Sequence, residues 1–238
     1  MFTDVDISKW DATNWIKGIE AKTHWIEVDV VGIGVIYYPL GLPMEGVYDT
    51  ISCLLWEEST HKYEIPEASV REGDVVIDAG AAEGLFSLMV ADRASSVFAF
   101  EPAPVLKDCL LATIGEYNNV HFSHTALSSY RTRSGSLEGY GERCELGGSE
   151  ENKTPIMVDT IDHVFGLKRV NFIKADVEGS ELALLKGAKS TLQIWGPRLA
   201  ICLYHKPEDR EEIPAYLTSL GVGYVFKDSV DVLHAWVE

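Results

Sequence analysis

The sequence predicts an α/β protein: a doubly wound, mostly parallel seven-stranded sheet over residues 71–238, preceded by an N-terminal extension over residues 1–70. Three observations carry that expectation. From about residue 71, apolar strand-like runs alternate with helical patterns, the signature of a parallel sheet covered on both faces. The run Val75-Val76-Ile77-Asp78 stops on the small-residue turn Ala79-Gly80-Ala81-Ala82-Glu83-Gly84 and resumes as a helix. A second run, Val97-Phe98-Ala99-Phe100, ends on Glu101. An acid at the tip of the second strand is where a doubly wound sheet holds a ribose diol.

The extension comes first along the chain. Asp4 to Ile19 has the spacing of an amphipathic helix, and Trp25 to Tyr38 alternates and is rich in Val and Ile, as a strand or hairpin would be. No helix follows Gly32-Ile33-Gly34, so these residues form a turn or bulge and not a phosphate loop. Leu54 to Tyr63 reads as a helix carrying Glu57, Glu58 and His61. Four of the six tryptophans, Trp10, Trp15, Trp25 and Trp56, fall here, and the segment is expected to act as a lid.

In the main domain, strands are expected at 74–78, 97–101, 119–124, 170–175 and 198–204, and helices at 83–92, 104–117, 181–193 and 208–220. Runs at 222–226 and 231–236 close the chain as a hairpin that adds an antiparallel strand at one edge. Residues 131–153 are rich in Gly and Ser and poor in apolar side chains. They read as a long loop or hairpin of the kind that forms a functional lid.

At 238 residues the chain can bury a sizeable core. Its 37 acids against 20 bases give a formal net charge of −17. Such a surface repels nucleic acids and anionic membranes, so the expected partner is a small-molecule substrate, with no nucleic acid and no membrane. A homo-oligomer stays open. The cysteines Cys53, Cys109, Cys144 and Cys202 are dispersed, without a C-x-x-C pair, and read as reduced thiols of a cytoplasmic protein. The N-terminus lacks the charged and apolar regions of a secretory signal.

The first turn selects the cofactor. A dinucleotide fingerprint needs G-x-G-x-x-G and a helix start open to pyrophosphate. Here Ala82 replaces the second glycine, and Glu83 sits where the phosphates would rest. A carboxylate there repels pyrophosphate but tolerates S-adenosylmethionine, a cationic sulfonium without phosphate. Asp78, Gly80 and Gly84 are therefore expected to shape the methionine end, Glu101 to bind the ribose and His124 to lie near the adenine, with Ala81, Glu83 and Pro102 also expected at the cofactor.

A second motif, Ile173-Lys174-Ala175-Asp176-Val177-Glu178-Gly179-Ser180-Glu181, again delivers acids at a strand end, where open α/β sheets bind ligands. Asp176 is expected to be catalytic or to hold the donor's amino group, and Glu181 to compensate a helix dipole. His205, at the next strand end, is the expected general base. Asp176, Glu178 and His205 are candidate ligands for a divalent metal, although no local ligand spacing specifies one.

The stretches Val76–Gly84, Phe98–Pro102, Val158-Asp159-Thr160-Ile161-Asp162 and Ile173–Ala188 resemble those of the FkbM family of S-adenosylmethionine-dependent methyltransferases. The resemblance covers roughly residues 71–207. It implies a class I methyltransferase fold, usually acting on a hydroxyl of a natural product or sugar. Residues 1–70 and 131–153 lie outside it and are expected to select the substrate. Two rivals are an NAD-dependent oxidoreductase, disfavoured by Glu83, and a non-catalytic scaffold with a degenerate nucleoside site.

Overall fold

The structure, a computed structural model, describes residues 14–41, 43–140, 143–146 and 154–238. Its centre is a seven-stranded sheet of β4 (Asp74–Ala79), β5 (Ala94–Phe100), β6 (Val120–Ser123), β11 (Phe172–Ala175), β12 (Arg198–Cys202), β13 (Tyr224–Asp228) and β14 (Val232–Val237). The strand order is β13-β14-β12-β11-β4-β5-β6. The strands from β6 to β12 run parallel, and β14 pairs antiparallel with both β12 and β13. The terminal hairpin thus supplies the expected antiparallel strand.

Helices cover both faces. α2 (Leu85–Ala91) and α3 (Pro104–Ile114) pack on one side; α4 (Ile161–Phe165), α5 (Glu181–Gly187), α6 (Lys189–Trp195) and α7 (Asp209–Ser219) pack on the other. The central strands β4 and β11 are buried on both faces, which is why they read as nearly continuous apolar runs. The helix expected over 181–193 is two helices meeting at Gly187-Ala188. A Cβ on Gly187 would lie 2.0 Å from the Ser128 carbonyl oxygen, so this contact excludes any larger residue.

The N-terminal region departs from expectation at two places. Residues 16–21 form strand β1 (Ile16–Ala21), not the end of a helix, while residues 1–13 lie outside the described residues. β1 pairs antiparallel with β2 (Trp25–Val30), and β2 with β3 (Gly34–Pro39), through the expected turn at Gly32-Ile33. This small sheet docks on α3: the Tyr37 amide donates to Thr113 Oγ1 at 3.1 Å. Val28, Val30, Ile36 and Tyr38 are fully buried beneath it, each contributing about 1.5–3 kcal/mol.

The second departure is the helix expected over 54–63. The helix is α1 (Met44–Leu55), started by Pro43, and residues 56–63 are irregular. The helix stops where Trp56 turns extended, and Ser59 and Thr60 tie down the segment after it. Ser59 Oγ accepts from the His61 amide, and Thr60 Oγ1 donates to Asp231, so side chains take over the bonding that a helix would need.

A four-stranded sheet, ordered β7-β10-β8-β9, flanks the main one and comprises β7 (Thr125–Leu127), β8 (Thr132–Tyr140), β9 (Arg143–Leu146) and β10 (Thr154–Asp159). β8 and β9 realise the hairpin alternative for residues 131–153. Residues 141–142 and 147–153 lie outside the described residues. No helix among the described residues is long and apolar enough to cross a membrane.

Arg198 and Asp74 clamp the N-terminal edges of the central strands. Arg198 Nη2 donates to Asp74 Oδ2 at 2.6 Å, and Nη1 donates to the Ser69 carbonyl. Both side chains are about nine-tenths buried. Asp74→Ala should destabilise the protein by about 3 kcal/mol, because it leaves the guanidinium buried and unpaired. Thermal melting should show the midpoint lowered by roughly 6–12 °C; an unchanged midpoint would show that water replaces the carboxylate.

Candidate functional site

The carboxyl ends of β4, β5, β11 and β12 open on a cavity of about 600 Å³. Its floor is the turn after β4. Gly80 and Ala81 both donate their amides to the Phe100 carbonyl, at 2.9 and 3.1 Å, which ties the turn to β5. Gly80 has φ +72°, and a Cβ there would sit 1.7 Å from the Asp176 carbonyl oxygen. Only glycine therefore lets the turn and the β11 end approach so closely. Ala82 (φ +48°) and Glu178 (φ +50°) hold left-handed conformations that are strained for non-glycine residues, and both line the cavity.

Glu101 sits where the second strand ends, buried and facing the turn. Its Oε2 accepts from the Ala82 amide at 3.0 Å and its Oε1 from the Ala103 amide at 2.8 Å. Burial pushes its carboxyl up to about 7, although the two amides pull the other way. Lone pairs on both oxygens remain for a diol. Pro102, Ala81 and Glu83 also line the cavity. Glu83 is buried and accepts from the Tyr38 hydroxyl at 3.4 Å, so the extension reaches this wall.

Three residues expected at the cofactor do not line the cavity. Asp78 is fully buried behind the turn, where its Oδ2 accepts from Ser87 Oγ at 2.7 Å and its Oδ1 lies 3.1 Å from Lys174 Nζ. Gly84 faces α3, and a Cβ there would meet Leu110 at 2.7 Å. His124 lies between β6 and β7 beside the Phe122 ring. Asp78 and Gly84 are taken up by packing inside the fold, and His124 is half-buried.

Lys174 is the residue that sequence reasoning missed. It is buried in the middle of β11, in register with Asp78. Its ammonium donates to the Gly80 carbonyl and lies 4.9 Å over the Tyr63 ring. Burial opposes its charge, but Asp78 and Asp176 outweigh burial and hold its pKa above the ordinary lysine range. The signal was legible: a lysine inside Phe172-Ile173-Lys174-Ala175 needs a buried acid.

Asp176 anchors the far wall. Tyr63 Oη donates to Oδ2 at 2.6 Å and Tyr204 Oη donates to Oδ1 at 2.8 Å. His61 Nε2 lies 3.6 Å from Oδ2. Burial alone would raise the carboxyl, yet His61, the Lys174 charge and the Tyr63 phenol hold it well below the usual carboxylate range. Burial and Asp176 raise both phenols, so they stay protonated as donors.

His205 reaches the same wall from the end of β12. Its Nδ1 lies 2.8 Å from Glu181 Oε1, which also accepts from the Val177 and Gly179 amides. Its Nε2 lies 3.3 Å from Glu178 and 3.6 Å from Asp176. Burial lowers its basicity, but Glu178 and Glu181 reverse the effect and raise its pKa to about 10. These neighbours favour the imidazolium near neutral pH, the form that donates a proton, which weighs against the base role expected for His205. Glu181, expected to serve only a helix dipole, orients this ring.

Residues 78–226 match the profile of the Methyltransferase FkbM domain. The methyltransferase sdnD of Sordaria araneosa is 30% identical over 168 residues, covering 53% of this chain and 64% of its own. The AMB antimetabolite synthetase AmbE of Pseudomonas aeruginosa is 28% identical over 222 residues, covering 70% of this chain and 10% of its own. The chain thus spans less than two thirds of either relative. The crystal structure of the methyltransferase FkbM from Methylobacillus flagellatus KT superposes with a TM-score of 0.55 at 22% identity, over 69% of this chain and 43% of that one. The shared fold is that of class I methyltransferases.

Glu101 makes stability depend on pH in a stated direction. Its carboxyl titrates near 4.5 when exposed and near 7 when buried here. Between those values the folded state keeps a proton that the unfolded state has released, so stability falls as pH rises through the window and levels off above it. Melting temperatures from pH 4.5 to 8 should show a shallower decline in Glu101→Ala than in the wild type. Parallel curves would remove the assigned shift.

Proposed function

The chain belongs to the FkbM methyltransferase family, and from that premise we propose that it moves a methyl group from S-adenosylmethionine to an oxygen of a small-molecule acceptor. The observation that carries this reading is Glu101, which lines the cavity beside the Gly80–Ala82 turn and is held by the Ala82 and Ala103 amides. Its carboxylate accepts from the ribose hydroxyls, while the turn and Asp176 receive the methionine end. The buried Glu83 carboxylate favours this phosphate-free cation over a dinucleotide. The net charge of −17 favours a small acceptor over a nucleic acid.

Acceptor choice falls to the extension and the flanking sheet. Asp49, Cys53 and His61 enter the cavity wall from α1 and the segment after it, and Leu137 enters from β8. α1 and the segment after it precede the family match, and β8 lies within it. The reaction is an in-line displacement: the acceptor oxygen forms the new bond to carbon as the carbon–sulfur pair returns to sulfur. Alignment of the two reactants supplies much of the acceleration.

Calorimetry with S-adenosylmethionine tests the donor site. Glu101→Ala should weaken binding by about 1.5–3 kcal/mol, a loss of roughly 10- to 150-fold, by removing a charge-assisted contact. In the wild type the affinity should rise with pH through about 7, as the Glu101 carboxyl ionises, and the variant should lack that rise. Equal affinities for wild type and variant would remove the ribose assignment. Turnover is tested by mass detection of a methylated product across hydroxylated metabolites.

A further inference from the structure

We propose that His61 is the general base of the reaction and takes the acceptor's hydroxyl proton on Nδ1, with Tyr63 and Asp176 as the positioning residues that fix its tautomer. The inference deepens the methyl-transfer reading and rests on it.

Two histidines line the cavity, His61 and His205. They differ in what their ring nitrogens meet. Both nitrogens of His205 face carboxylates, Glu181 on one side and Glu178 and Asp176 on the other. Such neighbours favour a ring with two protons, which has no lone pair to offer. His61 has one nitrogen engaged, and by a phenol oxygen. Its Nε2 lies 3.1 Å from Tyr63 Oη. Its Nδ1 makes no hydrogen bond or ion pair among the described residues, and it is not shut off from solvent.

The proton of Tyr63 decides the tautomer of His61. A phenol has one proton to give. It goes to Asp176 Oδ2 at 2.6 Å, the shorter of the two contacts. Asp176, held well below the usual carboxylate range, stays ionised and only accepts. Tyr63 Oη must therefore accept from His61, which puts the ring proton on Nε2. In the neutral ring the lone pair then lies on Nδ1, the open atom. Asp176 Oδ2 also lies 3.6 Å from Nε2. Its charge stabilises the imidazolium that forms once Nδ1 takes a proton. Asp176 thus acts as the orienting third group does behind a catalytic base.

The segment that carries His61 is fixed to the terminal hairpin. Thr60 Oγ1 donates to Asp231 at 2.5 Å, and the Thr60 carbonyl accepts from Ser229 Oγ at 2.9 Å. The Lys62 carbonyl lies 2.9 Å from His234 Nε2. The ring packs on Tyr204, with centroids 5.1 Å apart, and keeps 16% of its side chain exposed for an acceptor to reach. A base anchored on both sides of its residue needs little ordering when the acceptor arrives. His61 precedes the matched residues 78–226, so the extension joins acceptor choice to proton removal.

The acceptor O–H bond breaks as its proton passes to Nδ1. The oxygen forms the new bond to the methyl carbon, and the carbon–sulfur pair returns to sulfur. The imidazolium then releases its proton to water.

Ring-nitrogen NMR of ¹⁵N-labelled protein tests the tautomer without donor or acceptor. At about pH 8, above the ordinary histidine range, His61 should carry its proton on Nε2 and leave Nδ1 bare. Loss of the signals in His61→Gln assigns them. Tyr63→Phe, which removes the accepting oxygen, should let the other tautomer appear. A proton on Nδ1 in the wild type overturns the proposal, as does an unchanged tautomer in Tyr63→Phe.

Turnover tests the role. His61→Gln keeps an N–H for Tyr63 and loses the basic nitrogen. With a hydroxylated metabolite that the wild type methylates, its kcat should fall about 10²–10⁴-fold. S-adenosylmethionine affinity and melting temperature should stay at wild-type values, and added imidazole should restore part of the rate in His61→Gly. A loss that instead tracks donor affinity or melting temperature is structural and overturns the proposal. Unchanged kcat in His61→Gln overturns the base role and leaves methyl transfer standing. A wild type that methylates none of the metabolites overturns both.

Discussion

One buried ammonium organises the site. Lys174 stands on a central strand with no water to solvate it, so its charge must be met by the protein. Asp78 meets it from the neighbouring strand, and the Gly80 carbonyl meets it from the turn. That pairing sets the register of β4 on β11 and holds the turn against the β11 end. Removing either partner would leave a buried charge alone, which is far costlier than losing a surface ion pair.

The turn conformations follow from this closeness. With the turn drawn onto β11, the Asp176 carbonyl occupies the space of a Gly80 side chain. The chain then reverses through left-handed residues at Ala82 and Glu178, which tertiary contacts hold in place. Glu101 closes the arrangement from β5 by binding the Ala82 amide. Three strand ends are thus linked by backbone hydrogen bonds before any ligand arrives. This is the preorganisation that a methyl transfer by alignment requires.

Charge is divided across the cavity. Near the turn, the acids are compensated: Asp78 by Lys174, and Glu101 by two amides and by a carboxyl raised to about 7. Around His205, Asp176, Glu178 and Glu181 crowd one imidazole. A cationic donor suits the first region. In the second, three carboxylates share one ring.

The sequence by itself determined the sheet and three of the strand ends that open on the cavity. Hydrophobic runs that stop at Asp78, Glu101 and Asp176 are local signals, because burial on both faces demands apolar residues up to the sheet edge. The same locality explains what sequence patterns missed. Residues 56–63 look helical until Thr60 and Ser59 find partners, one of them at Asp231. Asp78 pairs with Lys174 behind the turn, and Glu178 and Glu181 surround His205, neither of which the local sequence displays. Only the tertiary structure decided these surroundings. A titratable group takes its charge from neighbours within a few ångströms, and here those neighbours come from distant elements of the chain.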